Sequence, residues 1–367
     1  MSDFAKDRVR PEIFTLKAYV PGKPIEEVKR ELGLEDVIKL ASNENPLGPS
    51  PLAMAAVAAA LPELNLYPDA SCYLLKQKLA GHLSVDADEI LLGNGSDELL
   101  TMLATAFINR GDQVIYGTPT FSVYEFTARI MGAECLQVPL LDFTYDLEGI
   151  LAAVNERTKM VYVCNPNNPT GTIVRKQAIQ RFMDRLPDQV LVVFDEAYAD
   201  YAESPDFISG YEYVQEGRNA IVLHTLSKIY GLAGLRIGYA LTTRSIAAAV
   251  ERIRDSFNVN SLAQVGARAA LDDREHLQRS REVNRQGKQY LYESFEKLGL
   301  FYVPTEANFI FLNTGRDCRQ VFQALLEMGV IIRTGDVFGH PDFIRVTIGT
   351  AEQNQRFIES LAHVLGK

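Results

Sequence analysis

An α/β fold, with a mostly parallel central sheet, crossover helices and a smaller α+β domain, is predicted by three features of the sequence. Short apolar runs alternate with helical-period segments from about Pro51 to Tyr239. Several of those runs, VLVVF among them, are apolar at every position, as strands covered on both faces must be. Beyond residue 298 the pattern changes to strand, helix, strand, helix. A chain of 367 residues has room for both units. With 47% hydrophobic and 23% charged residues it has the material for a packed core, which excludes a wholly disordered or fibrous polymer.

In chain order, residues 1–45 are rich in Pro and mixed charge and have too little apolar periodicity to fold alone; they are expected to pack on the small domain and the cleft. Residues 46–260 form the large domain, with strands expected at Glu89–Leu92, Gln113–Tyr116, Met160–Cys164, Val190–Asp195, Ala220–Thr225 and Arg236–Leu241. Residues 244–298 read as largely helical with a break near Asn258–Ser261, and no Pro interrupts 262–298. That stretch is the expected bridge, so residues 261–367 hold a bridging helix and the small domain. There ANFIFLN and DFIRVTIG read as strands, RDCRQVFQALLEMG and a segment ending near Leu365 as helices. No internal repeat or low-complexity tract is present.

Thirty-seven basic against 47 acidic residues give a net charge of −10, which disfavours bulk nucleic-acid binding. Cys72, Cys135, Cys164 and Cys318 lie far apart with no CxxC pair, so neither a zinc ribbon nor a disulfide framework is suggested and a reduced compartment fits best. The first residues, MSDFAKDRVRPEIF, mix both charge signs, and no stretch approaches the roughly 18 apolar residues of a membrane span. The expectation is a soluble, cytoplasmic protein that meets neither membrane nor nucleic acid. None of His82, His224, His276, His340 and His363 falls in a metal-ligand spacing, so no catalytic metal is expected; His224 reads as a packed strand residue.

Four loops each follow a predicted strand, and at an open parallel sheet such loops gather on one edge, where ligands bind. The first is GNGSDE (Gly93 to Glu98), leading into a helix; its glycines allow close backbone approach and the helix start offers free N–H groups to an anion. An ordinary Asp-capped turn explains it equally well. The second, NPNNPTG from Asn165, reads on its own as a rigid turn. The third, DEAY from Asp195, sets a carboxylate at the end of a buried strand, which is costly unless it is paired or caps a helix. The fourth, Thr225-Leu226-Ser227-Lys228, places a lysine between hydroxyls, followed by Gly231, Gly234 and Arg236. A lysine whose pKa is lowered by burial and nearby cations is a candidate Schiff-base nucleophile; an isolated one is usually a solvated side chain. Taken together, a phosphate cup, an amine, a buried carboxylate, a phenol and an asparagine at one edge are what pyridoxal 5′-phosphate requires.

The ordered series GNGSDE, PTFSVY, NPNNPTG, DEAY and TLSKIYGLAGLRIG resembles the fold type I aminotransferases, and the chain as a whole is similar to their histidinol-phosphate branch. The similarity runs from AYVPGKP through KLASNENPLGPSP and YPD to IRVTIGT. It implies that Lys228 carries the cofactor as an internal aldimine and then shuttles a proton, that Asp195 pairs with the pyridinium nitrogen, and that Tyr198 and Asn168 bond the ring hydroxyl. It assigns Gly95, Ser96, Asp97, Thr225, Ser227 and Arg236 to the phosphate and stacks Phe121 on the ring. Tyr67 would reach the phosphate of a neighbouring subunit, so the site would need a homodimer. Arg333 and Arg345, each interrupting an apolar strand pattern, read unaided as edge charges facing water; the resemblance turns them inward onto a substrate phosphate or carboxylate. Tyr19 and Asn43 would line the same cleft.

The activity so implied is transfer of an amino group between L-histidinol phosphate and 2-oxoglutarate. Two enzymatic alternatives share the motifs: an aromatic amino acid aminotransferase or dual-specificity enzyme, and a threonine-phosphate decarboxylase. A non-catalytic sensor joined to a DNA-binding module is disfavoured, since the stretch before ASNENP leaves no room for one and the charge is acidic.

Overall fold

Seven strands form the central sheet of the computed structural model, which describes residues 4–16 and 23–367. They are β1 (Ile90–Gly93), β2 (Gln113–Thr118), β3 (Glu134–Pro139), β4 (Thr158–Cys164), β5 (Leu191–Asp195), β6 (Ala220–Thr225) and β7 (Gly238–Thr242). Their order across the sheet is β1-β7-β6-β5-β4-β2-β3. Neighbours run parallel except at β7, which is antiparallel to both β1 and β6. All but β3 coincide within two residues with the strands read from the sequence. β3, ECLQVP, escapes that reading because it is an edge strand with only Val138 buried, and so has no apolar run to show. β5, by contrast, is buried along its whole length, and its apolar residues carry Asp195 to the end of the strand inside the molecule.

The helices that matter for the site start where their sequences cap them. Ser50 accepts from the Ala53 N–H and Pro51 occupies the first position of α1 (Pro51–Ala60). Helix α2 (Ser96–Phe107) begins directly after Gly95, whose φ of +79° turns the chain out of β1. The helical run over 262–298 is divided rather than continuous: α3 (Ser261–Ala270) stops, and Asp273 caps a new helix, α4 (Arg274–Lys297), by accepting from the His276 N–H. The acidic pair in LDDRE is the capping signal that marks the break. Ala263, Ala267 and Ala270 of α3 join the core of the central sheet, whereas Leu291 and Phe295 of α4 join the second core, so the chain passes between units along α4.

That second core lies under a four-stranded antiparallel sheet of order β10-β11-β9-β8, built from β8 (Tyr302–Val303), β9 (Phe309–Asn313), β10 (Arg333–Thr334) and β11 (Phe343–Thr347). Ile38 and Lys39 pair in parallel with Val330 and Ile331, and Leu40 enters the same core. Through them the segment before Asn43 is tied to the small unit. No described helix is long and apolar enough to cross a membrane.

Candidate active site

Because β4, β5 and β6 are parallel and β1 is aligned with them across β7, their C-terminal ends share one edge of the sheet. β7 enters the sheet at that edge, so Arg236, just before it, arrives there from the opposite direction. These ends open onto a cavity of about 300 Å³. Ser96, Asp97, Phe121, Asn168, Asp195, Tyr198, Thr225, Ser227, Lys228 and Arg236 line it from the large unit. Arg333 and Arg345 line it from the small unit and Asn43 from the preceding segment. Gly95 lies against it: a Cβ there would stand 2.5 Å from Arg236 Nη2. One expected residue falls elsewhere. Tyr67 is 83% exposed, outside the cavity of its own chain, and stacks on Phe257 at 4.7 Å. Tyr19 lies outside the described residues.

Lys228 Nζ donates to the Ser42 carbonyl at 3.2 Å and lies 5.7 Å from the centre of the Tyr198 ring. Burial, then the positive charge of Arg345, lower its pKa to about 8. Asp195 is buried; its Oδ2 accepts from the Tyr124 hydroxyl at 2.6 Å and its Oδ1 from the Ala197 N–H at 3.1 Å. Burial raises its pKa, and those two hydrogen bonds oppose the rise. Glu196, on the next residue, serves the fold instead, accepting from the Ser209 hydroxyl at 2.8 Å and the Gly210 N–H at 2.6 Å. His224, stacked on Tyr239 at 4.9 Å, is held neutral by burial, its pKa pushed down to about 4.

Tyr198 accepts a hydrogen bond from Asn43 Nδ2 at 2.9 Å and rests edge-on against Phe309. Asn43 is 1% exposed, and its Oδ1 accepts from the Thr347 hydroxyl at 3.2 Å, so its amide is committed within the protein. Arg345 faces inward from β11, donating to Asn168 Oδ1 and, at 2.7 Å, to the Ala41 carbonyl, with Phe309 and Phe338 under its guanidinium. The water-facing reading of Arg345 is thereby excluded. Arg333 is half-buried on the neighbouring strand, directly across from Arg345.

Opposite charges and bare backbone shape the first loop. Arg236 Nη2 lies 3.5 Å from Asp97 Oδ2 at the start of α2. A Cβ on Gly238 would come within 2.7 Å of the Ser96 amide nitrogen, so β7 can approach this helix start only as glycine. Thr225 Oγ1 accepts from the Ser227 N–H at 3.1 Å, folding the loop toward the same place. Hydroxyls, a guanidinium and the start of α2 thus meet at one place, chemistry that suits an anion. The sequence reading left out three contributors: the Ser42 carbonyl, Glu44, which lines the cavity, and Tyr124, whose only signal is its position three residues after Phe121. Among the described residues no group of three or more His, Cys, Asp or Glu could hold a metal ion, and the four cysteines are unpaired.

Residues 35–361 match the family of class I and II aminotransferases, and the chain belongs to that family. It is 55% identical to a histidinol-phosphate aminotransferase of Moorella thermoacetica over 98% of this chain and 93% of that one, and 47% identical to one of Caldicellulosiruptor saccharolyticus over 97% and 99%. Among solved structures, the histidinol-phosphate aminotransferase of Sinorhizobium meliloti in complex with pyridoxal 5′-phosphate superimposes with a TM-score of 0.90 at 30% identity, covering 98% of each chain. An aspartate aminotransferase of Thermus thermophilus shares the fold at a TM-score of 0.83 and 24% identity.

Proposed function

We propose that this protein is a pyridoxal-phosphate-dependent transaminase of L-histidine biosynthesis, converting L-histidinol phosphate and 2-oxoglutarate to imidazole acetol phosphate and L-glutamate. The observation that carries this reading is the meeting of the Lys228 amine and the Asp195 carboxylate at one cavity that also holds an anion cup and two small-unit arginines. The relatives named above support the choice of substrate.

The residues present fit the cofactor. Asp195 is a buried carboxylate whose two hydrogen bonds come from neutral donors, so a protonated ring nitrogen would supply its missing countercharge. Gly95 and Gly238 keep the anion cup open where side chains would fill it. Once bound, this group supplies an aldehyde that condenses with amines and a ring that withdraws electrons from the carbon beside the nitrogen. Asn168 and Tyr198 would bond its hydroxyl and Phe121 cover its face. Ser96, Thr225, Ser227, Arg236 and the backbone of Gly95 and Asp97 would hold its phosphate, the Asp97 carboxylate steering Arg236.

With a pKa near 8, part of the Lys228 amine is neutral at physiological pH and can act as nucleophile. The same nitrogen, when released, would accept the proton from the substrate carbon that bears the amino group and pass it to the former aldehyde carbon within the same half-reaction, the second half-reaction running this shuttle in reverse. Arg333 and Arg345 bind the substrate phosphate or the acceptor's carboxylates, with Asn43 lining the same cavity, and Tyr19 is assigned to that cleft by the resemblance alone.

Leu61, Leu64, Leu66, Tyr67, Tyr73 and Leu74 are exposed apolar side chains within one short stretch of the chain, and we place a second copy of the chain there, bringing Tyr67 to its partner's phosphate cup. The division into residues 1–45, 46–260 and 261–367 is kept with one change, that α3 belongs with the large unit, whose core it joins.

The test is a substrate panel followed by half-reaction spectroscopy and steady-state kinetics. Histidinol phosphate should show the highest kcat/KM. A higher value for phenylalanine would make the enzyme an aromatic aminotransferase, and carbon dioxide release from phosphothreonine without an oxo acid would make it a lyase.

A further inference from the structure

We propose that Tyr124 is a positioning residue of the cofactor site, its phenol fixing the rotation of the Asp195 carboxylate so that a lone pair is turned to the ring nitrogen of the bound cofactor. The inference rests on the pyridoxal-phosphate reading of the cavity and goes beyond it, since Tyr124 does not line that cavity.

Tyr124 is the last residue of PTFSVY, in the first turn of the helix Val123–Ile130, and is fully buried. Its hydroxyl donates to Asp195 Oδ2 at 2.6 Å, a short charge-assisted bond. The ring that carries this hydroxyl is clamped. It stacks on Tyr162 with centroids 4.6 Å apart and planes 7° apart, and meets the edge of Phe121 at 5.7 Å and 81°. Phe121 faces the cavity, so one aromatic assembly connects the residue expected to cover the cofactor ring with the donor that holds its acid.

The geometry divides the work between the two carboxylate oxygens. Oδ1 is tied to the Ala197 N–H, which belongs to the same loop and moves with it. Oδ2 is tied to a separate element, and only that second tie fixes the carboxylate plane relative to the sheet. Each oxygen keeps a further lone pair, and Asp195 lines the cavity. Burial favours the neutral acid, and the hydrogen bond from Tyr124 is the largest opposing influence. The phenol itself stays protonated, its pKa driven upward by the same burial and by Asp195, so the donor is permanent.

Apoprotein binding of pyridoxal 5′-phosphate, measured at equilibrium, tests this without reference to turnover. Tyr124→Phe keeps both ring contacts and removes the donor; it should weaken binding about tenfold or more, the range for a hydrogen bond to a charged group. An analogue whose ring nitrogen is replaced by carbon should bind Tyr124→Phe and wild type equally, because the carboxylate then has no N–H to receive. In an Asp195→Asn background, Tyr124→Phe should cost nothing further. Tyr162→Phe, which removes only a hydroxyl from the stacked neighbour, should leave affinity unchanged. A ring-fluorinated tyrosine at 124, a stronger donor of nearly the same shape, should bind at least as tightly as wild type. Undiminished affinity in Tyr124→Phe, equal loss for both compounds, or weaker binding by the fluorinated protein overturns the proposal. Failure of the wild-type apoprotein to bind pyridoxal 5′-phosphate overturns the functional reading instead.

Discussion

Lys228 is enclosed by charges of both signs: Arg345 and Arg236 act with burial to lower its pKa, while Glu44 and Asp97 act against them. Since the folded pKa of about 8 lies below the ordinary 10.5, the unfolded chain binds more protons across that window. The amine therefore costs stability near neutrality and regains it as pH rises from 8 to 10.5. We expect apoprotein Lys228→Met to lose all turnover yet be more stable at neutral pH by on the order of 3 kcal/mol, the advantage shrinking in alkali. Thermal melts against pH check this, and a less stable variant at neutrality refutes it. Arg345→Lys keeps the charge but loses the fork that spans Asn168 and Ala41; kcat/KM for histidinol phosphate should fall about 10- to 100-fold, chiefly through KM. An unchanged KM would remove Arg345 from the substrate site. At this scale much was legible, because Lys228 and Asp195 each stand where an apolar run gives way to a polar loop. Tyr124 was not, since a tyrosine on an amphipathic helix looks the same whether its hydroxyl meets water or a buried acid.

The elements bring these residues together through one reversal of direction. β7 runs against its neighbours, so its first residue, Gly238, lies opposite both Gly93 and Thr225 and beside the Ser96 amide. Gly238→Ala must push α2 away from β7. We expect it to destabilise the fold by about 1–3 kcal/mol and to weaken pyridoxal-phosphate binding more than tenfold. Gly81→Ala is the control: a Cβ there meets nothing within 4 Å, and in a helix it should be neutral or stabilising by up to about 1 kcal/mol. Urea unfolding and apoprotein titration report the two effects separately, and a Gly238→Ala protein matching the control would contradict the packing argument. The strand itself was readable from RIGYAL, but its direction was not, because a buried strand has the same apolar pattern whichever way it runs. The division between α3 and α4 was missed for a different reason: helical periodicity continues through it, and only the capping aspartate breaks it.

For the whole molecule, the site of one chain lacks the tyrosine that the resemblance assigns to its phosphate. Leu66 is 61% exposed beside Tyr67, which is 83% exposed and stacks on Phe257. The pair of changes Leu64→Glu and Leu66→Glu should convert a dimer to monomers in light scattering and reduce both cofactor affinity and turnover. A monomeric wild type, or a fully active monomeric variant, would show that each chain completes its own site.

Sequence alone determined the α/β class, the buried strands and the loops bearing the amine, the carboxylate and the anion cup, because these are local signals: apolar period, turn chemistry and a polar residue at a strand end. Tertiary structure alone decided which way β7 runs, that Arg345 faces the cavity, that Asn43 spends its amide on Tyr198 and Thr347, and that Tyr124 holds Asp195. Each of these depends on a partner far away in the chain, and a side chain's pattern on its own strand or helix has no record of what will be packed against it.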